Sequence, residues 1–174
     1  ALDLPGIHTK KEYKRYYPAG HVAAHVLGFT NVEDKGQDGI EYSQQSVLAG
    51  ANGSRRVIQD RLGRVVEDIA FIREPQDGKD LTLSIDGKIQ YIAFTSLQQA
   101  VEENHAKAGA IVVLDVKTGE VLALANMPTY NPNTRIGLTG AQLRNRVLTD
   151  TYEPGSTLKP FTVALALEKG LVKP

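Results

Sequence analysis

The sequence predicts an α+β fold in two regions, on three observations. A loop-like stretch, Glu74 to Gly78, breaks the apolar pattern near Gly78-Lys79-Asp80 and separates residues 1–78 from 79–174. Before the break, short helical patterns lead into two charged strands; after it, one long amphipathic helix leads into two apolar strands. With 174 residues and 41% hydrophobic content, the chain has enough apolar material for a core.

In chain order, Ile7 to Tyr17 is rich in tyrosine, threonine and charge and is stopped by Pro18, which reads as a surface strand. Helices are expected over Ala19–Leu27 and Gly39–Leu48, the second stopping at Gly50. Arg55–Asp60 and Arg64–Ile72 flank Arg61-Leu62-Gly63 and predict a hairpin. The second region opens with the alternating strand Leu81–Ile85, then Asp86, a good N-cap for the longest helix. Ile89, Ile92, Ala93, Leu97, Ala100 and Val101 recur at three and four and predict its buried stripe, ending near Asn104. Ala110–Val116 and Glu120–Asn126 form a second hairpin, with Gly119 placed for the positive φ of a tight turn. Met127 to Gly140, rich in Pro, Asn, Thr and Gly, reads as a long surface connection. A closing helix carries Phe161, Leu165 and Leu167 and ends at Gly170.

Composition excludes several function classes. Lys+Arg and Asp+Glu balance at 20 each, so no global field recruits nucleic acid or an anionic membrane. Cysteine is absent, which removes disulfides, thiolate metal sites and a cysteine nucleophile. The longest clean apolar run, Ala108 to Leu114, is far short of the roughly 20 residues a membrane span needs. Residue 1 is not methionine and no leader precedes Leu2, so any signal or anchor is expected outside this sequence. His21 and His25, four apart, would share a helix face as metal ligands, but no carboxylate or cysteine cluster completes a site. Arg55, Arg56, Arg61 and Arg64 form the densest basic cluster; without interleaved aromatics they read as a solvated face, paired with acids such as Glu67 and Asp68, or as a protein-contact surface.

The chemistry sits near the end, in Glu153-Pro154-Gly155-Ser156-Thr157-Leu158-Lys159-Pro160. A serine hydroxyl is protonated at neutral pH, so acyl transfer needs a base within reach and donors for the oxyanion. Lys159, three residues on, shares a helix face with Ser156 and can be that base if burial or neighbouring cations lower its pKa from the usual ~10.4. Pro160 is tolerated only in a first helical turn, which puts Ser156 at or just before the helix start, where the dipole favours a developing alkoxide. Taken alone, S-x-x-K is equally a serine N-cap followed by an incidental lysine.

Its surroundings make the pattern specific. Asn145-Arg146, followed by Asp150-Thr151-Tyr152 and the serine segment through Pro160, resembles the active-site segment of class B penicillin-binding proteins, the monofunctional peptidoglycan transpeptidases. Gly109 to Asp115 and Thr118 to Ala125 resemble the first two strands of that fold, and Tyr130-Asn131-Pro132-Asn133 the loop after them. Arg15 to Gly20, His25 to Phe29 and Gly39-Ile40-Glu41 are similar to the non-catalytic pedestal of the class. Arg144-Asn145-Arg146, Glu153 to Thr157 and the opening Leu2 to Ile7 look most like its septal, cell-division members rather than the elongation-type paralogue.

The resemblance implies a dimerisation-type pedestal over 1–78. Over 79–174 it implies the first helix, first two antiparallel strands and serine helix of a penicillin-binding/serine β-lactamase-like transpeptidase fold. Ser156 would be the nucleophile and Lys159 its general base, with no metal or organic cofactor. Peptidoglycan stem peptides and β-lactams would acylate the serine. Cell-division membrane proteins and a glycosyltransferase would be partners, and a single-pass inner-membrane anchor outside this sequence would hold the domains in the periplasm. The family's S-x-N and K-T-G elements lie well downstream of the serine, and the fifteen residues after Lys159 contain neither. The chain by itself is therefore expected to be inactive, with its second hairpin and closing helix weakly supported. Its role alone would be that of an interaction module. Lys117-Thr118-Gly119 spells the downstream motif but precedes the serine, and is read as a hairpin turn with a solvated lysine.

Overall fold

The computed structural model describes residues 14–62, 65–134 and 136–173. The strand expected over Ile7–Tyr17 falls mostly outside the described residues, and its last four, Lys14 to Tyr17, are irregular. A 3-10 turn, Gly20–Ala23, runs into helix α1, Ala24–Leu27, in place of one uniform helix. Gly28 ends it at φ +75°, where a Cβ would lie 1.8 Å from Asp38 O, so only glycine allows the close approach. The helix expected over 39–48 is two short ones, α2 (Gly39–Ser43) and α3 (Gln45–Leu48), separated by Gln44 at φ −113°. Gln45 spends its amide on the preceding turn, accepting from Gly36 N at 2.6 Å and donating to Asp34 O at 3.3 Å.

Strands β1 (Ser54–Gln59) and β2 (Val65–Arg73) form the first hairpin, with Arg56 opposite Ala70. Register shifts at three places twist it. At its tip Asp60 Oδ1 accepts from Leu62 N at 2.8 Å; Gly63 and Arg64 of the expected turn and strand start lie outside the described residues. So do the side chains of Arg55, Glu67 and Asp68, while Arg56 and Arg61 are exposed. The strands pack chiefly on each other, leaving Ile58, Val65, Val66 and Ile72 exposed.

Helix α4, Gly87–Glu103, begins where expected: Asp86 Oδ1 accepts from Lys88 N and Ile89 N, both at 2.9 Å. Its buried face is Gln90, Ala93, Phe94 and Leu97, so the stripe is rotated from the expected one, and Ile92 is 52% exposed. Strands β3 (Gly109–Leu114) and β4 (Val121–Met127) pair antiparallel, Val112 opposite Leu124. Phe94 and Leu97 meet Ala125 and Met127 in the core, joined by Val22, Val101 and Ile111. This hairpin is firmly supported, contrary to expectation, because β4 is buried from Ala123 onward except at Leu124. Leu81–Ile85 is irregular instead of a strand. Ser84 Oγ donates to Val121 O at 2.8 Å and the following Asp86 N donates to Leu122 O at 2.9 Å, so the stretch meets β4 without forming a ladder. Further along that edge the Gln90 side chain takes the place a strand would fill.

The connection after β4 holds two short helices the sequence reading did not anticipate, α5 (Gly140–Leu143) and α6 (Arg146–Thr149). Helix α7, Lys159–Glu168, closes the described chain. No described helix is long and apolar enough to cross a membrane.

What joins the two regions is a seam of hydrogen bonds to the backbone of the 20–27 helical stretch. Side chains from the second region donate to carbonyls of this stretch, one of which, Ala24 O, also accepts from Gly28 N at 2.8 Å. Thr129 Oγ1 donates to His21 O at 3.2 Å, Gln90 Nε2 to Val22 O at 2.7 Å, Tyr130 Oη to Ala24 O at 3.0 Å and Asn145 Nδ2 to His25 O at 3.3 Å. Upstream, Asn133 accepts from Tyr17 N and donates to Tyr17 O, both at 2.9 Å. Gln90, 2% exposed, also donates to Leu124 O at 2.8 Å and accepts from Leu124 N at 2.8 Å. His25 is buried edge-on against Tyr130, and its Nε2 lies 2.8 Å from Gln142 O. A carbonyl cannot donate, so Nε2 carries the proton. His21 packs on Phe94, ring centroids 5.1 Å apart. Each histidine of the i, i+4 pair thus has an aromatic neighbour, and no group of three or more His, Asp or Glu side chains among the described residues is placed to hold a metal.

Two outcomes follow for stability. Gln90→Leu keeps the bulk but strands Val22 O and both backbone groups of Leu124, so urea denaturation should show a loss of about 3 kcal/mol, roughly 1 per group. For His25, burial lowers the pKa, partly opposed by the Gln142 hydrogen bond and by Asp38 and reinforced by Arg146. The unfolded imidazole then takes up its proton near pH ~6.5 while the folded one resists. The contribution is complete above that pH and falls as pH drops toward the depressed folded value, with a slope approaching ~1.4 kcal/mol per pH unit. Urea midpoints between about pH 8 and 5 should show this acid-side loss, flattened in His25→Asn.

Candidate active site

Ser156 is the second residue of a 3-10 turn, Gly155–Leu158, that runs directly into α7. Side chains three apart eclipse in a 3-10 helix, so Ser156 and Lys159 share a face, and Lys159 N donates to Ser156 O across that turn. Pro160 is in the first turn of α7, as its missing N–H requires. Ser156 is therefore inside the turn and not the N-cap of α7, which is Leu158. Both site side chains are exposed, and among the described residues neither takes part in a hydrogen bond or ion pair that would orient it. Gly155, at φ +53°, turns the chain onto this helix.

Helix α7 is largely apolar between Lys159 and Glu168. Phe161, Val163, Leu165 and Leu167 are 73%, 53%, 55% and 41% exposed. Such a helix belongs to the interior of a larger body rather than to a surface. It touches chiefly its own 3-10 turn, so the closing helix has little support from the rest of the described chain.

The segment leading to Ser156 is built more firmly. Arg146 Nη1 pairs with Asp150 Oδ2 at 3.0 Å, and Arg144 Nε pairs with Asp150 Oδ1. Desolvation works against ionisation of Asp150, but the Arg146 and Thr149 hydrogen bonds and the two arginine charges outweigh it and hold the carboxyl below its usual range. Helix α6 is capped from outside: Asn126 Oδ1, on β4, accepts from Val147 N at 2.9 Å, and Asn126 Nδ2 donates to Asn145 Oδ1 at 3.0 Å. Asn126 is 1% exposed. Gln142 Oε1 accepts from Thr139 N at 3.1 Å and from Thr139 Oγ1 at 2.9 Å, so the T-x-x-Q pattern at 139–142 was a readable start signal for α5. Gln90 and Asn126 carried no such signal.

The Lys117-Thr118-Gly119 letters are a hairpin turn. Asp115 Oδ1 accepts from Lys117 N at 2.7 Å and Thr118 N at 3.0 Å, which holds its carboxyl below the usual range, and Gly119 sits at φ +77°. Lys117 is exposed. A cavity of ≈ 590 Å³ between the two regions is lined by residues including His25, Asp38, Tyr42, Leu124, Asn145 and Leu148, and Ser156 and Lys159 are not part of it.

Known proteins share this arrangement. Residues 1–83 match the penicillin-binding protein dimerisation domain, and residues 109–174 match the penicillin-binding protein transpeptidase domain. The peptidoglycan D,D-transpeptidase FtsI of Escherichia coli K12 is 49% identical over 172 residues, which span 99% of this chain and 29% of that protein. A Neisseria gonorrhoeae protein described as "Probable peptidoglycan D,D-transpeptidase PenA" is 48% identical over 172 residues, 98% of this chain and 30% of that protein. The crystal structure of penicillin-binding protein 3 from Mycobacterium tuberculosis superposes with a TM-score of 0.75 at 35% identity, covering 91% of this chain and 32% of that one. The chain belongs to the penicillin-binding proteins, with a dimerisation domain followed by part of a transpeptidase domain. It spans about 30% of the length of the curated relatives it matches.

Proposed function

We propose that the protein to which this chain belongs is a septal peptidoglycan D,D-transpeptidase, with Ser156 its nucleophile and Lys159 the general base. The reading rests chiefly on one observation: Ser156 and Lys159 share a face of a 3-10 turn that continues into an apolar helix, within the stretch that matches the transpeptidase domain. The names of the FtsI and PenA relatives support the same reaction. Lys159 takes the hydroxyl proton as Ser156 Oγ attacks the D-alanyl-D-alanine carbonyl of a donor stem. The peptide bond then breaks, D-alanine leaves with a proton, and an ester joins the stem to the serine. An acceptor amine on a neighbouring stem attacks that ester, and the serine regains its proton. A β-lactam forms the same ester and stays; the Mycobacterium tuberculosis relative has been solved in complex with aztreonam.

We place the non-catalytic pedestal at 1–78 and the transpeptidase part at 79–174. We assign the whole protein to the inner membrane, with a single-pass anchor and both domains in the periplasm. Cell-division membrane proteins and a glycosyltransferase are its proposed partners. A second, non-catalytic role as an interaction module is favoured by the β1–β2 hairpin, whose Ile58, Val65, Val66 and Ile72 stay exposed while its strands pack chiefly on each other.

The full-length protein should label covalently with a fluorescent penicillin. Ser156→Ala should abolish labelling, and Lys159→Met should slow it by roughly 100-fold or more, the usual worth of a positioned base. Stopped-flow acylation and mass spectrometry of the adduct check both. Labelling that persists in Ser156→Ala would exclude Ser156 as the nucleophile.

A further inference from the structure

Building on the transpeptidase reading above, we propose that Asn145 is a positioning residue for Ser156, tying the segment that carries the nucleophile to the backbone of the first region. Asn145 stands at the N-cap of α6 yet does not cap it with its own side chain. Asn126 performs that task from β4, bonding Val147 N at 2.9 Å, a contact that an N-cap residue ordinarily makes itself. The exchange frees Asn145 to work in two directions. Its Oδ1 accepts from Asn126 Nδ2 at 3.0 Å, and its Nδ2 donates to His25 O at 3.3 Å.

The relay therefore runs from the core strand β4, through Asn145, to the last turn of α1. At the other end of α6, Asp150 is gripped by both Arg144 and Arg146. The four-residue helix is thus tied to β4 and α1 at its start and closed on its own flanking arginines at its end, and Ser156 follows Asp150 by six residues. Among the described residues no side-chain hydrogen bond fastens the exposed Thr151–Leu158 stretch to the body; Thr157 Oγ1 bonds the neighbouring Pro154 O. A shift of the first region relative to β4 is felt at Asn145 first and passes along α6 to the serine turn. Displacements of about 1 Å at a nucleophile are enough to cost up to ~100-fold in rate.

The test uses the full-length protein, the binding step and the acylation step being resolved with a fluorescent penicillin. Asn145→Asp keeps the acceptor for Asn126 Nδ2 but replaces the donor to His25 O with a second acceptor. It should lower the acylation rate constant by about tenfold or more with little change in noncovalent affinity. Asn145→Ser, which retains a shorter hydroxyl, should fall between it and the parent and serves if the aspartate variant does not fold. Tyr130→Phe removes the neighbouring bond to Ala24 O without touching α6; it should lower Tm yet acylate at the parental rate. Parental acylation in both Asn145 variants, or an equal slowing in Tyr130→Phe, would overturn the positioning role while leaving the transpeptidase reading intact. A parent that does not label, or that labels without Ser156, would refute that reading and this inference with it.

Discussion

The structure depends on hydrogen bonds from distant side chains to the backbone of one short helical stretch, residues 20–27. Such a bond contributes about 0.5–1.5 kcal/mol, and several of them act together here. Gln90, Thr129, Tyr130 and Asn145 each supply a donor, and they come from a long helix, a loop and the approach to α6. Val22, within that stretch, also packs against the apolar cluster of Phe94, Leu97, Ala125 and Met127, so the seam joins polar and apolar contacts between the two regions.

That arrangement explains why the approach to the serine is ordered while the serine itself stands in solvent. The start of α6 is tied to β4 and to α1 through the Asn126 and Asn145 amides. Beyond Asp150 the chain bonds to itself, and α7 presents Phe161, Val163 and Leu165 to water. The transpeptidase match and the largely apolar α7 agree: Ser156 precedes an element whose exposed Phe161, Val163 and Leu165 suit burial in a larger body. Between the two regions buried polar contacts such as Gln90 to Val22 O lie beside an aromatic one, His25 and Tyr130 meeting edge to face at 5.3 Å.

Local chemistry was readable from the letters. Asp86 caps α4 with bonds two and three residues away, Gly119 supplies a positive φ that its turn requires, and Pro160 marks a first helical turn. The Ser156–Lys159 spacing, set among its neighbours, pointed to the family that the comparisons then found. Each of these signals spans a few residues, so its physical cause is complete within the window being read. The strand expected at Leu81–Ile85 failed for the opposite reason: its alternation was real, but the β4 edge it needed is taken by Gln90.

Sequence alone determined the two-region α+β order, most element positions and the identity of the nucleophile–base pair as candidates, because helix caps, turns and motif spacing are short-range. Only the tertiary structure decided which amides matter. Gln90, Asn126, Asn133 and Asn145 read as ordinary polar residues, yet their partners lie from 19 to 120 positions away and are backbone groups or other amides. A side-chain amide carries a donor and an acceptor but no record of which distant group it will meet. That is set when α1 and β4 are brought together, and with it the anchoring of the segment that ends in Ser156.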